Sequence, residues 1–137
     1  MGMAGKNIGF SQGNRPFARA HMHLSLIHIL ELTHDIIRGK WKPIILWQLG
    51  KGAASPSALQ NDIVGIGQKM LLQQLGELQN FGMVQKEQYE GYPLKVKYSL
   101  TEKGERMLNI IAAMQEIGIE LMKEDGREEF LKNKGLI

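Results

Sequence analysis

Apolar and polar residues alternate with two periods along this chain, and the changes of period mark its elements. From Leu24 to Ile37, Leu26, Ile29, Leu30, Thr33 and Ile37 recur every three or four positions, which predicts a helix, and Gly39 supplies its stop. KWKPIILWQLGKG predicts a second helix, with Pro43 tolerated in the first turn and Gly50 and Gly52 beyond the end. SPSALQNDIVG predicts a short third one: Ser55 can cap it, Pro56 suits its first position, and Leu59 and Ile63 face the core. After a turn at Gly65, the run from Gly67 to Asn80 aligns Leu71, Leu75 and Leu78, helped by Met70, on one stripe. Gln68, Lys69, Leu72, Gln73 and Gly76 lie mostly off that stripe.

Beyond Phe81 and Gly82 the period falls to two. Two strands are predicted, roughly Val84 to Tyr89 and Lys95 to Leu100, joined by Glu90-Gly91-Tyr92-Pro93, with Val96, Tyr98 and Leu100 alternating against Lys95, Lys97 and Ser99. Thr101 can cap a following helix whose first turn carries Glu102 at the positive end of its dipole. That helix should reach about Lys123, with Met107, Ile110, Ile111, Met114, Ile117 and Leu121 facing inward or toward a partner. The last residues, EDGREEFLKNKGLI, add one short turn or stay loose.

Four helices, a hairpin and a further helix make a mainly α chain with a small β-hairpin wing. A short helix, a tight turn and a helix that is polar near its start form a helix-turn-helix, so the order is that of a winged helix-turn-helix with extra terminal helices. The expected organisation is an irregular arm over residues 1–20, the winged domain with its dimerisation helices over 21–125, and a tail over 126–137. The arm could be disordered, lie along a partner subunit or reach DNA. The outer faces of the Leu24 and Met107 helices have little core left to share, so a homodimer with these helices at its interface is expected over a compact helical monomer.

Composition narrows the classes. At 137 residues with 43% hydrophobic side chains, the chain is one domain with a small core. It has no cysteine, which excludes disulfides, thiolate metal sites and direct cysteine redox sensing. No apolar run approaches the roughly 20 residues of a bilayer span, and the start lacks the apolar core of a signal peptide. The expectation is a cytoplasmic protein with no membrane partner. The formal charge of +3 is modest, but residues 40 to 76 hold Lys40, Lys42, Lys51 and Lys69 against the single acid Asp62. Residues 101 to 137 carry six basic and eight acidic side chains. Positive potential in the first half suits a nucleic-acid face, although an ordinary charge fluctuation would look the same.

The polar start of the fourth helix carries the candidate chemistry. Glutamine can pair with the N6 and N7 edge of adenine, lysine can donate to guanine or phosphate, and leucine can pack on a thymine methyl. Gln68, Lys69, Leu72 and Gln73 are therefore the candidate base contacts. Gln74, nearer the buried side, is expected to satisfy a neighbouring backbone group. Ser55 and Ser57 are candidates for phosphate, with Lys40, Lys42 and Lys51 around the same face. In the wing, Lys95 and Lys97 can reach phosphates or the minor groove, with Lys86 joining from the facing strand, while Tyr92 and Pro93 stiffen the turn. Trp41, Trp47 and Phe81 could line an effector pocket for a small molecule, or pack in a core or dimer seam.

Other chemistries have little support. His21, His23, His28 and His34 fall within fourteen residues, but His28 and His34 point apart on a helix and no HExxH accompanies them, so no metal is expected. His28, Glu31 and Asp35 share a helical face that more often is a solvated edge than a general base. With no GxGxxG, Walker motif or serine elbow, no enzyme and no cofactor are expected.

Three blocks carry a resemblance: IIRGKWKPIILWQL (Ile36 to Leu49), SPSALQNDIVGIGQKMLLQQLGELQNFGMV (Ser55 to Val84) and YPLKVKYSLTEKG (Tyr92 to Gly104). Together they resemble the HxlR-type transcriptional regulators, relatives of the MarR group. The resemblance implies a dimeric DNA-binding regulator of inverted-repeat operators, often a repressor that answers a small molecule or oxidant. It implies that the helix beginning near Gly67 is the recognition helix, that Tyr89 to Lys97 is the wing, and that Trp41 is a scaffold tryptophan. The chain departs from the family where it has Gly67 in place of a hydroxyl residue, Leu72 in place of a polar one and Gly76 in place of a basic one. A cysteine common in the family before GKW is absent from AHMHLSLIHI, so thiol sensing there is excluded. Leu72 and Gly76 keep open an alternative, a winged-helix protein-interaction or scaffold module without specific DNA binding.

Overall fold

The computed structural model describes residues 19–91 and 95–137, the side chains of residues 19–25 excepted. Most of the expected arm, the wing residues Tyr92 and Pro93, and the side chains of His21 and His23 lie outside the described residues. The elements run α1 (Arg19–Ile37), α2 (Trp41–Leu49), α3 (Pro56–Asp62), α4 (Gln68–Asn80), β1 (Val84–Tyr89), β2 (Lys95–Leu100), α5 (Glu102–Glu124) and α6 (Glu128–Asn133). Residues through Ile36 form one compact unit and Ile37–Ile137 another.

The second unit is built around α4. Leu71, Leu75 and Leu78 are fully buried on its inner stripe, where they meet α2, α3 and the start of β1. Each such leucine is worth about 1.5–3 kcal/mol relative to exposure. Ile45, Leu46 and Leu49 of α2, Leu59 of α3, Ile63 and Ile66 of the turn, and Met83 and Val84 complete the core. Local chemistry delimits the helices as the periodicity anticipates. The Ser55 hydroxyl accepts the Ala58 N–H at 3.2 Å and Pro56 opens α3. The Thr101 hydroxyl accepts the Gly104 N–H at 3.1 Å and donates to the Gly82 carbonyl at 2.6 Å, so one side chain caps α5 and ties it to the end of α4.

α4 ends because Gly82 takes a left-handed conformation, φ 78°, which lets its N–H reach the Gln79 carbonyl and the Met83 N–H reach that of Leu78. This paired closure satisfies the last carbonyls of the helix and turns the chain directly into β1. The hairpin is antiparallel, Val84 opposite Leu100 and Tyr89 opposite Lys95. Tyr98 is buried, and its backbone also pairs with Ala54 in both directions, at 2.8 and 2.9 Å. That bridge pins the wing to the segment that leads into α3.

The tail does not stay loose. α6 folds back on α5 and buries Leu131 completely. By contrast, α5 leaves Ile110, Met114, Ile117 and Leu121 more than half exposed along one face. α1, considered by itself, exposes Leu26, Ile29, Leu30 and Leu32.

Candidate nucleic-acid interface

The buried leucines of α4 dictate what its other side presents. Gln68, Lys69, Leu72 and Gln73 all lie exposed on that side, the side expected to meet bases. Gly67 is the N-cap in extended conformation and offers no side-chain cap. The helix therefore begins with backbone N–H groups that no capping hydroxyl occupies, which suits approach of a phosphate.

Beside this start lies an open groove of about 640 Å³ lined by Ser55, Ser57, Gln60, Gln68, Lys95 and Lys97, among others. It joins the head of α3, the head of α4 and the wing, so five of the sequence candidates come together in one concavity. A smaller groove of about 340 Å³ brings Lys51 alongside Lys97. The Ser55 oxygen is engaged in capping α3 and lies 3.2 Å from the Ser57 hydroxyl. Lys40 sits outside both linings, with its ammonium 4.6 Å from the centre of the Trp41 ring.

Two of the expected phosphate contacts need correction. Lys42 is 7% exposed, and its ammonium meets the Glu77 carboxylate at 2.6 Å, so it joins α2 to α4 rather than standing outward. Lys86 is exposed but pairs across the hairpin with Tyr98, whereas Lys95 and Lys97 stand opposite Tyr89 and Glu87. Residues directly opposite each other share a face, so Lys86 is on the other face of the wing from Lys95 and Lys97. Glu87, not a third lysine, is the neighbour of Lys97. Gln74 also differs from expectation, since its amide nitrogen lies 3.5 Å from the Met70 sulfur and not on a backbone group.

Glu77 is the functional candidate that the sequence reading passes over. Its second carboxylate oxygen accepts from the Gln73 amide nitrogen at 3.2 Å while the first holds Lys42. Hydrogen bonds from Lys42 first and Gln73 second hold its carboxyl below the usual carboxylate range. The four-residue spacing from Gln73 was a readable signal of this contact. The burial of Lys42 was not, because nothing local distinguishes it from the exposed Lys40.

Among the described grooves, none brings the three aromatic candidates together. Trp47, 40% exposed, lines a shallow groove of about 240 Å³ with Pro43, Ile44, Ile111 and Gln115 between α2 and α5. Trp41 faces Gly65, and Phe81 is the C-cap of α4. Among the described residues there is no group of three His, Cys, Asp or Glu side chains that could hold a metal, and no helix long and apolar enough to cross a membrane.

The profile of the HxlR-like helix-turn-helix family matches residues 36–126. The HTH-type transcriptional regulator YkvN of Bacillus subtilis is 41% identical over 88 residues, 64% of this chain and 75% of that protein. YybR, another HTH-type regulator of Bacillus subtilis, is 36% identical over 110 residues, 79% of this chain and 84% of the relative. The redox regulator HypR in its reduced form has a similar structure, with TM-score 0.65 and 36% identity, covering 72% of this chain and 97% of that one. With an uncapped, polar-faced α4 beside a lysine-bearing wing, this chain belongs to the HxlR-like helix-turn-helix family and is a DNA-binding transcription regulator, not an enzyme.

Proposed function

We propose that the chain is a cytoplasmic repressor that binds an inverted-repeat operator as a homodimer. The observation that carries this reading is the outer face of α4. Its four exposed residues Gln68, Lys69, Leu72 and Gln73 are held in place by fully buried leucines, with the groove of serines and wing lysines directly alongside. α4 enters the major groove, Gln68 and Gln73 read base edges, and Leu72 meets a thymine methyl. Ser57, Lys51, Lys95 and Lys97 hold the phosphate backbone and set the register without choosing sequence.

The dimer follows from α5, whose exposed Ile110, Met114, Ile117 and Leu121 repeat at three- and four-residue spacing. Burying that stripe against its copy gives a two-fold particle, and the two recognition helices then address half-sites about 34–36 Å apart. Occupancy of such a site blocks transcription initiation. An effector of small, flat, apolar character would enter at the groove beside Trp47, where α2 and α5 meet.

Selection of bound fragments from the source genome, repeated over a salt series, tests the reading. A palindromic site should emerge, and log affinity should fall linearly with log salt. Replacing both Lys95 and Lys97 by Ala should lower the magnitude of that slope by about 1.8, roughly 0.9 for each lost phosphate contact, and leave the selected sequence unchanged. Binding with neither salt dependence nor a preferred site would leave the interaction-module alternative standing.

A further inference from the structure

The face that reads DNA contains an arrangement that acts on the orientation of one side chain. Lys42, buried on α2, donates to one oxygen of Glu77 at 2.6 Å, and Gln73 donates its amide nitrogen to the other at 3.2 Å. Lys42 is anchored in the core, whereas the Glu77 side chain is 42% exposed and Gln73 is open to the outside. The relay runs from the interior of the domain to the surface of the recognition helix. We infer that Glu77, itself fixed by Lys42, is a positioning residue that orients the Gln73 amide and thereby makes adenine the preferred base at one position of each half-site. This inference rests on the reading that Gln73 touches bases.

The argument is one of donors and acceptors. An ionised carboxylate only accepts, so the Gln73 amide must turn its nitrogen toward Glu77, which leaves its carbonyl oxygen facing away. The nitrogen carries two hydrogens, and one bond to Glu77 leaves the other available. The outward edge of Gln73 is thus one acceptor beside one donor. Adenine alone complements it in the major groove, offering the N6 amino hydrogens to the oxygen and N7 to the remaining N–H. Guanine presents two acceptors, O6 and N7, and thymine presents O4, so each would set oxygen against oxygen. Cytosine offers a donor but no acceptor beside it. An unclamped glutamine can rotate its amide by half a turn and meet O6 or O4 with its nitrogen, which erodes the preference. Because Lys42 is tied to α2, the orientation is already set before DNA arrives.

Quantitative binding of the full chain to a library that carries all four bases at each position of its selected operator provides the test. The parent should favour adenine at one position per half-site by roughly tenfold or more. Gln73→Ala should abolish that preference. Glu77→Gln should turn Gln73 around, because Lys42 can only donate and so holds the new amide's oxygen, leaving its nitrogen to face the Gln73 oxygen. The adenine-over-guanine and adenine-over-thymine ratios at that position should then fall by about tenfold or more, with the other positions unchanged. Loss of a negative charge will raise affinity for every sequence, so the ratio between bases is the readout, and a purely structural role for Glu77 would scale all four bases alike. The double variant Lys42→Met with Glu77→Met removes the buried ammonium along with its partner, guards against failure to fold, and leaves Gln73 unclamped, so the same ratios should relax to within about threefold. If Gln73→Ala loses the adenine preference while both Glu77 variants keep it, Glu77 does not position Gln73. If Gln73→Ala keeps the preference, the base-reading role of Gln73 fails first, and the inference falls with it.

Discussion

Lys42 illustrates how a single buried contact redefines a charged residue. Left alone, an ammonium at 7% exposure would be costly, and the Glu77 carboxylate at 2.6 Å compensates it. The folded pKa of Glu77 lies below its unfolded one, because Lys42 and then Gln73 hydrogen-bond the ionised form. The stability gained this way is fully present above the unfolded value, about 4.3, and is lost as pH falls through the lower folded value. Glu77→Gln should therefore melt below the parent at pH 7, and thermal melts across pH should show the gap closing below about pH 4. Gly104 makes a different residue-scale demand. A β-carbon there would be driven into the Met83 carbonyl oxygen, which already accepts the Thr101 N–H at 3.0 Å. The Met83 backbone cannot yield as a flexible side chain would, and Leu100 Cδ2 crowds the same space, so Gly104→Ala should lower stability by about 2 kcal/mol or more in urea unfolding.

At the scale of elements, α4 serves two masters. Its inner stripe was legible from period alone, because Leu71, Leu75 and Leu78 have no alternative face to occupy. Its outer face was legible as a list of residue types and, at Gln73 and Glu77, as a four-residue spacing, but not as an arrangement, since the Lys42 ammonium that fixes Glu77 arrives from α2. Gly76 is the weak point of the element: a β-carbon there meets nothing within 4 Å. Gly76→Ala should stabilise the protein by up to about 1 kcal/mol in equilibrium unfolding, as the helix interior loses glycine's conformational freedom. The wing shows the limit of period-two reading. The alternation put Val96, Tyr98 and Leu100 on one face, of which Tyr98 is buried and the other two half-buried, yet the face of Lys86 needed the pairing register, which a single strand cannot reveal.

At the scale of the whole molecule, α5 carries one stripe of unspent hydrophobic surface, and α1, taken by itself, carries another. Ile110, Met114, Ile117 and Leu121 are each more than half exposed, which supports the proposed association of two copies through this face. Ile117→Asp should convert the expected dimer to monomers in sedimentation at micromolar concentration while circular dichroism retains the helix content. Operator affinity should fall on the order of a hundredfold, because two linked half-sites no longer reinforce each other.

The order of elements, the caps at Ser55 and Thr101, the inner stripe of α4 and the hairpin boundaries were all determined by the sequence, since each depends on neighbours within one or two turns of chain. Tertiary structure decided what depends on residues distant in sequence. It took Lys42 out of the DNA-facing set by pairing it with a residue thirty-five positions away, put Lys86 on the far face of the wing, folded α6 onto α5, and gathered Ser55, Gln68 and Lys97 around one groove. Periodicity shows which side of an element is buried, but the partner that buries it, and the side chains it brings with it, exist only once the elements have packed.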